Sequence, residues 1–282
     1  MERTYHMTVA KLKNQIFIVG PCAVESRAQV LETVENVKAM GIDFMRLSLW
    51  KPRTKPGFEG LGESGIDLVV EAAKLGVNPA VEPIIPEHAA KVAEAVLTRA
   101  PKAKLMLWVG ARNQNHFIQR EIAKIAAQDD RIYLMMKNQI WSSEKHWEGI
   151  VEHVLSGGIK PSRLLLCHRG FAPNGENPEG YRNVPDFEMT MRMKEKTGLP
   201  MIFDPSHTGG SVDKVFQITM DAANYGMDGY IIEVHPNPKL AQSDANQQLT
   251  WKEFRKLLKL LYNKRVAGLQ NNQQVAGNAA LI

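Results

Sequence analysis

Residues 105–137 have the sequence LMLWVGARNQNHFIQREIAKIAAQDDRIYLMMK, in which two apolar runs flank a longer amphipathic segment. The runs Leu105–Val109 and Ile132–Met136 are predicted to be buried strands, and Asn115–Ala127 between them is predicted to be a helix. Strands joined through a helix must run parallel, because tight turns join only antiparallel neighbours. This stretch therefore predicts one strand–helix–strand unit of a parallel α/β fold.

The same unit repeats on both sides of this stretch. Further strands are predicted at Phe17–Gly20, Phe44–Leu47, Pro79–Glu82, Leu164–Cys167, Met201–Phe203 and Gly229–Val234. Further helices are predicted at Ala28–Met40, Ser64–Leu75, Pro86–Leu97, Ser143–Ser156, Pro185–Lys196, Val212–Ala223 and Thr250–Tyr262. Repetition of this unit over about 250 residues predicts a single closed (β/α)8 barrel, or TIM barrel. An open doubly wound sheet has the same alternation and is the alternative.

Composition limits the other possibilities. The 282 residues are 44% hydrophobic and 23% charged, which is typical of globular proteins and excludes a disordered or fibrous chain. We expect a catalytic barrel over residues 1–265 and a weakly ordered tail over 266–282, where charged residues are missing. The sequence offers neither a membrane span nor a signal peptide, so we expect a cytoplasmic protein without membrane contact. Two cysteines are too few for a disulfide framework.

Polar residues follow nearly every predicted strand. In a parallel barrel these positions meet at one rim, where active sites lie. The cations among them are Arg46, Lys51, Arg53, Arg112, Lys137 and Arg169. Arginine binds phosphate and carboxylate oxygens through two donors at once, so this set predicts small substrates with more than one anionic group. The net charge of +5 is accounted for by this pocket, and we expect no nucleic-acid partner.

Four further groups at the rim differ from these cations in their chemistry. They are Cys22, His207, Glu233 and Asp244. A thiolate, an imidazole and two carboxylates suit a divalent first-row metal, namely Mn, Fe, Co or Zn, with an open position for substrate. Their spacing matches no compact metal-binding motif, so a structural Cys22 and a loop-capping His207 stay open as the alternative. Cys167 lies inside an apolar run and is predicted to be a buried hydrophobic residue.

Several short motifs occur together at these strand ends. They are Gly20-Pro21-Cys22 with Glu25-Ser26, Lys51-Pro52-Arg53-Thr54, Gly110-Ala111-Arg112-Asn113, Asp204-Pro205-Ser206-His207-Thr208-Gly209-Gly210 and Glu233-Val234-His235-Pro236. In this order the set resembles the 3-deoxy-D-arabino-heptulosonate 7-phosphate (DAHP) synthase family. The nearer likeness is to its type I beta-like branch, which includes forms fused to chorismate mutase. The resemblance extends from Ile16 to Gln248.

The resemblance implies a (β/α)8 enzyme that condenses phosphoenolpyruvate with erythrose 4-phosphate and water. This reaction is the first step of the shikimate pathway to chorismate and the aromatic amino acids. By motif position, Cys22, His207, Glu233 and Asp244 resemble the family's metal ligands. Arg46, Lys51, Arg112, Lys137 and Arg169 resemble its phosphoenolpyruvate-binding cations, and Arg53 and Thr54 resemble its contacts to the aldose phosphate. His207 is also expected beside the substrate.

The implied catalytic residues are Lys51, Cys22, His207 and Glu82. Lys51 is expected to assist proton transfer at the aldehyde oxygen. Glu82 is expected to orient the attacking water, with a role as partner for one of the cations as the alternative. After Lys137 the chain has Asn138-Gln139 where many DAHP synthases have Arg-Gly, which leaves the structure of that loop open.

Two alternatives to this function remain. One is 3-deoxy-D-manno-octulosonate 8-phosphate synthase, which uses arabinose 5-phosphate and has Lys-Ala-Asn-Arg-Thr-Ser in place of residues 51–54. The other is a barrel that binds a metabolite without catalysis. By analogy with the family we expect a homodimer or homotetramer. The length leaves no room for an added regulatory domain, so any feedback control would need a separate regulatory partner or a longer bifunctional chain.

Overall fold

The structure, a computed structural model, describes residues 12, 15–51 and 57–279, with side chains as far as residue 267. Eight strands form one closed barrel, in which every strand is paired in parallel with the next and β8 returns to β1. The strands are β1 Ile16–Gly20, β2 Phe44–Arg46, β3 Pro79–Val81, β4 Leu105–Val109, β5 Ile132–Lys137, β6 Leu164–His168, β7 Met201–Phe203 and β8 Gly229–Glu233. The predicted (β/α)8 barrel is confirmed, and the open sheet is excluded.

Helices connect the strands and cover the outside of the barrel. They are α1 Arg27–Met40, α2 Ile66–Lys74, α3 Pro86–Arg99, α4 His116–Ala127, α5 Glu144–Leu155, α6 Phe187–Thr197, α7 Pro205–Gly209, α8 Val212–Ala222 and α9 Trp251–Ala279. Short 3-10 turns lie at Gly62–Gly65, Pro161–Arg163, Pro238–Leu240 and Ala245–Gln247. Of the described helices, none has the length and apolar composition needed to cross a membrane.

Two helices differ from the prediction. Helix α7 is not predicted, because a helix of 5 residues is too short to show a repeating apolar pattern. It forms because Pro205 occupies its first turn and the Asp204 side chain accepts a hydrogen bond from His207 N at 3.0 Å. Helix α9 continues past the predicted end at Tyr262 to Ala279, through Ala, Leu and Gln residues that favour helix. Weak order of the tail from residue 266 stays a prediction.

The barrel interior holds its own apolar cluster, distinct from the larger core between strands and helices. Its buried members are Ile18, Phe44, Ala80, Met106, Trp108, Met135, Leu165, Cys167, Ile202 and Ile231. Every strand contributes to it, and Cys167 is 0% exposed within it, as predicted. Side chains alternate between the two faces of a strand, so residues two positions farther along each strand also face inward. This register determines which residues meet above the cluster.

Candidate active site

The inward-facing positions at the carboxyl ends of the strands form one polar layer. Two residues beyond the apolar cluster, the eight strands lead to Gly20, Arg46, Glu82, Gly110, Lys137, Arg169, Asp204 and Glu233. All of these positions are charged except the two glycines. The barrel is therefore filled with apolar side chains below and presents charged groups at the end where barrel enzymes have their active sites.

The two glycines in this layer make space for close neighbours, which are the Arg46 backbone at Gly20 and the Glu82 carboxylate at Gly110. A Cβ atom on Gly20, which has φ +154°, would lie 2.8 Å from the carbonyl oxygen of Arg46. A Cβ atom on Gly110 would lie 2.1 Å from Oε1 of Glu82. The Glu82 carboxylate thus lies directly over the Gly110 backbone, inside the mouth of the barrel.

Three of the four residues predicted as metal ligands come together in the structure, and the fourth, His207, lies beside one of them. Cys22, Glu233 and Asp244 each place one ligand atom within 4.8 Å of the others, and Cys22 Sγ lies 3.1 Å from Asp244 Oδ2. His207 Nε2 lies 3.8 Å from Glu233 Oε1. Cys22 and Asp244 follow β1 and β8, Glu233 ends β8, and His207 lies in α7, so the cluster exists only because β8 pairs with β1 and closes the barrel.

The chemistry of this cluster fits a divalent transition metal ion. Burial, with the nearby Glu233 charge, raises the pKa of the Cys22 thiol to about 12. Burial also opposes ionisation of Asp244, but Arg182 and His207 outweigh it and hold the pKa of that carboxyl below its usual value. A thiol that needs a cation to ionise, beside carboxylates that are already ionised, suits a borderline-soft ion better than Ca²⁺ or Mg²⁺.

The ring of His207 is held by Asp204. Asp204 Oδ2 lies 2.8 Å from His207 Nδ1, and Asp204 Oδ1 accepts a hydrogen bond from the His207 backbone N at 3.0 Å. A carboxylate at Nδ1 fixes the ring orientation and leaves Nε2 directed at Glu233. Asp204 is therefore a site residue that the sequence analysis did not assign, although its position two residues after Ile202 in β7 gave the signal.

Lys51 lies against the thiol. Its Nζ donates to Cys22 Sγ at 2.9 Å and to the Cys22 carbonyl oxygen at 3.3 Å. Burial disfavours the ammonium, but the adjacent Cys22 sulfur and the carboxylates of Glu233 and Glu82 outweigh burial and raise the pKa of Lys51. Lys51 therefore carries a proton at neutral pH, which a general acid requires.

Arg46 and Glu233 form an ion pair inside the barrel. Arg46 Nη2 lies 2.8 Å from Glu233 Oε1, and the two side chains are 1% and 0% exposed. The guanidinium carbon lies 5.2 Å from the ring centre of Trp108. The other terminal nitrogen, Nη1, is buried without a hydrogen-bond partner. A buried donor of this kind is available to an anionic substrate.

The remaining predicted cations occupy the opposite side of the mouth. Lys137 Nζ lies 2.5 Å from Asp204 Oδ2, and Arg169 Nη1 donates to Asn183 Oδ1 at 3.0 Å. Burial lowers the pKa of Arg169 to about 10, and the neighbouring Arg112 charge acts in the same direction. Arg112 itself is exposed. The guanidinium groups of Arg112 and Arg169 repel each other, and a bound anion would offset this repulsion.

The loop after Lys137 differs from the common family pattern and has a structural role. Asn138 and Gln139 are both 0% exposed. Asn138 Oδ1 accepts from Arg169 N at 2.8 Å, and its Nδ2 donates to the Gly170 carbonyl oxygen at 3.0 Å. Asn138 therefore joins the ends of β5 and β6 and helps to place Arg169. The predicted aldose-phosphate residues Arg53 and Thr54 lie outside the described residues.

Three other residues of the site carried no sequence signal. Asn183 Nδ2 donates to the His207 carbonyl oxygen at 2.6 Å, Arg182 Nη1 lies 2.9 Å from Asp244 Oδ1, and Gln247 contacts Glu233. Asn183 and Arg182 come from the loop between β6 and α6, and Gln247 from a turn after β8. The path of these loops brings the three residues to the site, and the strand pattern of the sequence does not predict the path of a loop.

The fold and the site define a barrel enzyme that handles small, multiply anionic compounds beside a candidate metal centre. Residues 7–269 match the DAHP synthetase I family. The chain therefore belongs to the DAHP synthetase I family, as the sequence motifs predicted.

Similar proteins of known name agree with this assignment. The chain is 31% identical over 252 residues to the phospho-2-dehydro-3-deoxyheptonate aldolase of Thermotoga maritima, covering 88% of this chain and 70% of that protein. A crystal structure of the Thermotoga maritima DAHP synthase superposes with a TM-score of 0.77 at 29% identity, covering 91% of this chain and 70% of that one. A 2-dehydro-3-deoxyphosphooctonate aldolase from Francisella tularensis is 25% identical over 264 residues, covering 86% of this chain and 88% of that protein.

Proposed function

We propose that this protein condenses phosphoenolpyruvate with erythrose 4-phosphate and water to give 3-deoxy-D-arabino-heptulosonate 7-phosphate and phosphate. The observation that carries the proposal is the polar layer, where Arg46, Lys137 and Arg169 lie at the same barrel mouth as Cys22, Glu233, Asp244 and the adjacent His207. One substrate has a carboxylate and a phosphate, and the other has a phosphate and an aldehyde. The cations suit the anionic groups, and the cluster suits the aldehyde.

Cys22, His207, Glu233 and Asp244 are the residues that would hold a divalent metal ion. When bound, such an ion supplies Lewis-acid polarisation of the aldehyde. Mn, Fe, Co and Zn all remain candidates, because a thiolate with imidazole and carboxylate oxygens accepts each of them.

The chain's own residues would position the substrates and move the protons. Arg46, Lys137 and Arg169, joined by Arg112, would hold the phosphoenolpyruvate anion with its C3 facing the aldehyde carbon. As the new C–C bond forms, the Lys51 ammonium would give its proton to the developing alkoxide oxygen. Water then adds at C2 of the former phosphoenolpyruvate, and phosphate leaves through cleavage of the C–O bond.

Glu82 would orient the attacking water and accept its proton. Its carboxylate lies at the mouth over Gly110, and it raises the pKa of both Lys51 and Arg46. These contacts also fit the alternative in which Glu82 only balances the cations. Arg53 and Thr54 are proposed to hold the phosphate of erythrose 4-phosphate, on the basis of the resemblance. Assembly as a homodimer or homotetramer, a separate regulatory partner and a cytoplasmic location stay predictions.

The second candidate function is the condensation with arabinose 5-phosphate. Relatives named 2-dehydro-3-deoxyphosphooctonate aldolase are 25% identical to the chain, below the 31% of the heptonate enzyme. The motif Lys51-Pro52-Arg53-Thr54 favours the four-carbon sugar.

The deciding experiment follows the absorbance of phosphoenolpyruvate with either sugar phosphate, after chelator treatment and after separate addition of Mn²⁺, Fe²⁺, Co²⁺ or Zn²⁺. We expect turnover with erythrose 4-phosphate that EDTA abolishes and Mn²⁺ restores. Lys51→Met should lower kcat at least 100-fold, and Lys160→Met, at an exposed lysine, should leave it unchanged. Preference for arabinose 5-phosphate would overturn the substrate assignment, and no turnover with either sugar under any of the four metals would favour the non-catalytic barrel.

A further inference from the structure

Arg182 and Gln247 form hydrogen bonds with two of the candidate metal ligands, Asp244 and Glu233. Gln247 is 2% exposed, and its Nε2 donates to Glu233 Oε2 at 2.7 Å. Its Oε1 accepts from Arg182 Nη1 at 2.6 Å, and the same nitrogen donates to Asp244 Oδ1 at 2.9 Å. We call Arg182 and Gln247 the carboxylate brace.

The chemistry of the three groups allows only one orientation of the Gln247 amide. A guanidinium can only donate hydrogen bonds, and an ionised carboxylate can only accept them. The amide lies between Arg182 and Glu233, so its oxygen must face Arg182 and its nitrogen must face Glu233. Arg182 thus determines that the NH₂ group is directed at the carboxylate.

The brace engages one oxygen of each carboxylate and leaves the other toward the cluster. Glu233 Oε2 is bound by Gln247, whereas Glu233 Oε1 lies 3.8 Å from His207 Nε2 and also contacts Arg46 Nη2 at 2.8 Å. Asp244 Oδ1 is bound by Arg182, whereas Asp244 Oδ2 lies 3.1 Å from Cys22 Sγ. In both residues, the oxygen that faces another candidate ligand is the one the brace does not use.

The backbone at Asp244 adds a reason why such a brace is needed. Asp244 has φ +48° and is the one non-glycine residue with positive φ in the part of the chain that the structure describes. Residues in this conformation persist only where their surroundings hold them. Gln247 N also donates to the Asp244 carbonyl oxygen at 3.2 Å, so the brace and the turn stabilise the same residue.

We propose that Gln247, oriented by Arg182, is a positioning residue that presets Glu233 and Asp244 for a divalent transition metal ion. This inference rests on the proposed function, because it takes the four clustered residues as metal ligands. Loss of Gln247 leaves Glu233 Oε2 without its donor and Arg182 without one of its two acceptors, so Glu233 is then held only through Oε1 by Arg46. Removal of such an outer hydrogen-bond partner typically weakens metal affinity by about 10–100-fold.

The test measures Co²⁺ binding to metal-free protein directly, through the near-ultraviolet absorption of a thiolate bound to Co²⁺. Gln247→Met keeps the length of the side chain but removes both amide groups, and we expect the Kd for Co²⁺ to rise about 10–100-fold. The matched control is Asn246→Ala, which changes an exposed residue of the same turn and should leave the Kd within about two-fold. At saturating Co²⁺ the variant should regain most of the wild-type kcat, because Gln247 does not touch the substrate.

A second variant covers the case in which Gln247→Met does not fold. Gln247→Asn keeps the amide but is one methylene shorter, so it cannot reach both Glu233 and Arg182 and should also weaken Co²⁺ binding. A Kd within two-fold of wild type in the folded variants would overturn the inference while leaving the proposed function intact. A wild-type protein that binds Co²⁺ without thiolate absorption would instead contradict the metal site itself, and with it the inference.

Discussion

At the scale of single residues, position relative to the strands decided what could be predicted. Cys22, His207 and Asp244 follow strands and Glu233 ends one, so sequence alone placed all four at one rim. In the structure Cys22, Glu233 and Asp244 form one group, and His207 lies beside Glu233. Gln247 and Arg182 could not be predicted, because their contacts depend on the path of two loops. An amide or a guanidinium in a loop has many partners within reach, and only the folded geometry selects one.

Metal binding should release about one proton, and that proton should come from Cys22. Burial raises the pKa of this thiol to about 12, whereas the pKa values of Glu233 and Asp244 are lowered, so both are already ionised at pH 7. Burial lowers the pKa of His207, which is therefore neutral at pH 7. Since only the thiol must deprotonate, metal affinity should rise about tenfold per pH unit between pH 7 and 9.

The number of protons released can be measured by calorimetric titration of the metal-free protein with metal ion in buffers of different ionisation enthalpy. Cys22→Ala should release none, and Cys167→Ala, which changes the buried thiol inside the barrel, should release as many as wild type. Release of two or more protons, or affinity independent of pH, would contradict this assignment.

At the scale of elements, strands were easier to predict than helix ends and loops. A parallel strand covered on both sides reads as a continuous apolar run, and all eight runs correspond to strands in the structure. Helix α7 depends on the cap by Asp204, and the length of α9 depends on propensity without a clear apolar stripe. Such features leave little or no periodic signal in the sequence.

Alanine substitutions at Gly170, in the loop after β6, and at Gly149, in α5, should change the free energy of unfolding in opposite directions. Gly170 has φ +77°, and a Cβ there would lie 2.6 Å from the Asn183 carbonyl oxygen, so Gly170→Ala should lower the free energy of unfolding by more than about 1 kcal/mol. Gly149 lies inside α5, and a Cβ there meets nothing within 4 Å. Gly149→Ala should therefore raise stability by about 0.5–1 kcal/mol.

Chemical denaturation of both variants measures these changes. Gly170→Ala should also weaken phosphoenolpyruvate binding, because Asn183 holds Arg169. A neutral effect of Gly170→Ala would show that the loop relaxes without cost.

At the scale of the whole molecule, the buried ion pair of Arg46 and Glu233 links the two strands on either side of β1. Arg46 ends β2 and Glu233 ends β8, and β1 lies between them. Arg46→Met should lower the free energy of unfolding by about 3–5 kcal/mol, because it leaves the Glu233 charge buried and unpaired. Arg99→Met breaks an exposed pair with Asp67, in which the side chains are 45% and 77% exposed, and should cost at most about 1 kcal/mol.

Equilibrium unfolding in urea compares these two variants. Equal losses at both positions would mean that Glu233 is neutral or finds another partner when Arg46 is removed.

The pairing of β1 with β8 has a consequence for folding during synthesis on the ribosome. The first strand must wait, without one of its two neighbours, until residues 229–233 have been made. Cys22 likewise has to wait for Asp244. At about 5–20 residues per second, that interval is on the order of tens of seconds. Throughout it, one edge of β1 is unpaired and the Cys22 thiol lacks its native partner, so strand pairing with another chain and thiol oxidation compete with closure of the barrel.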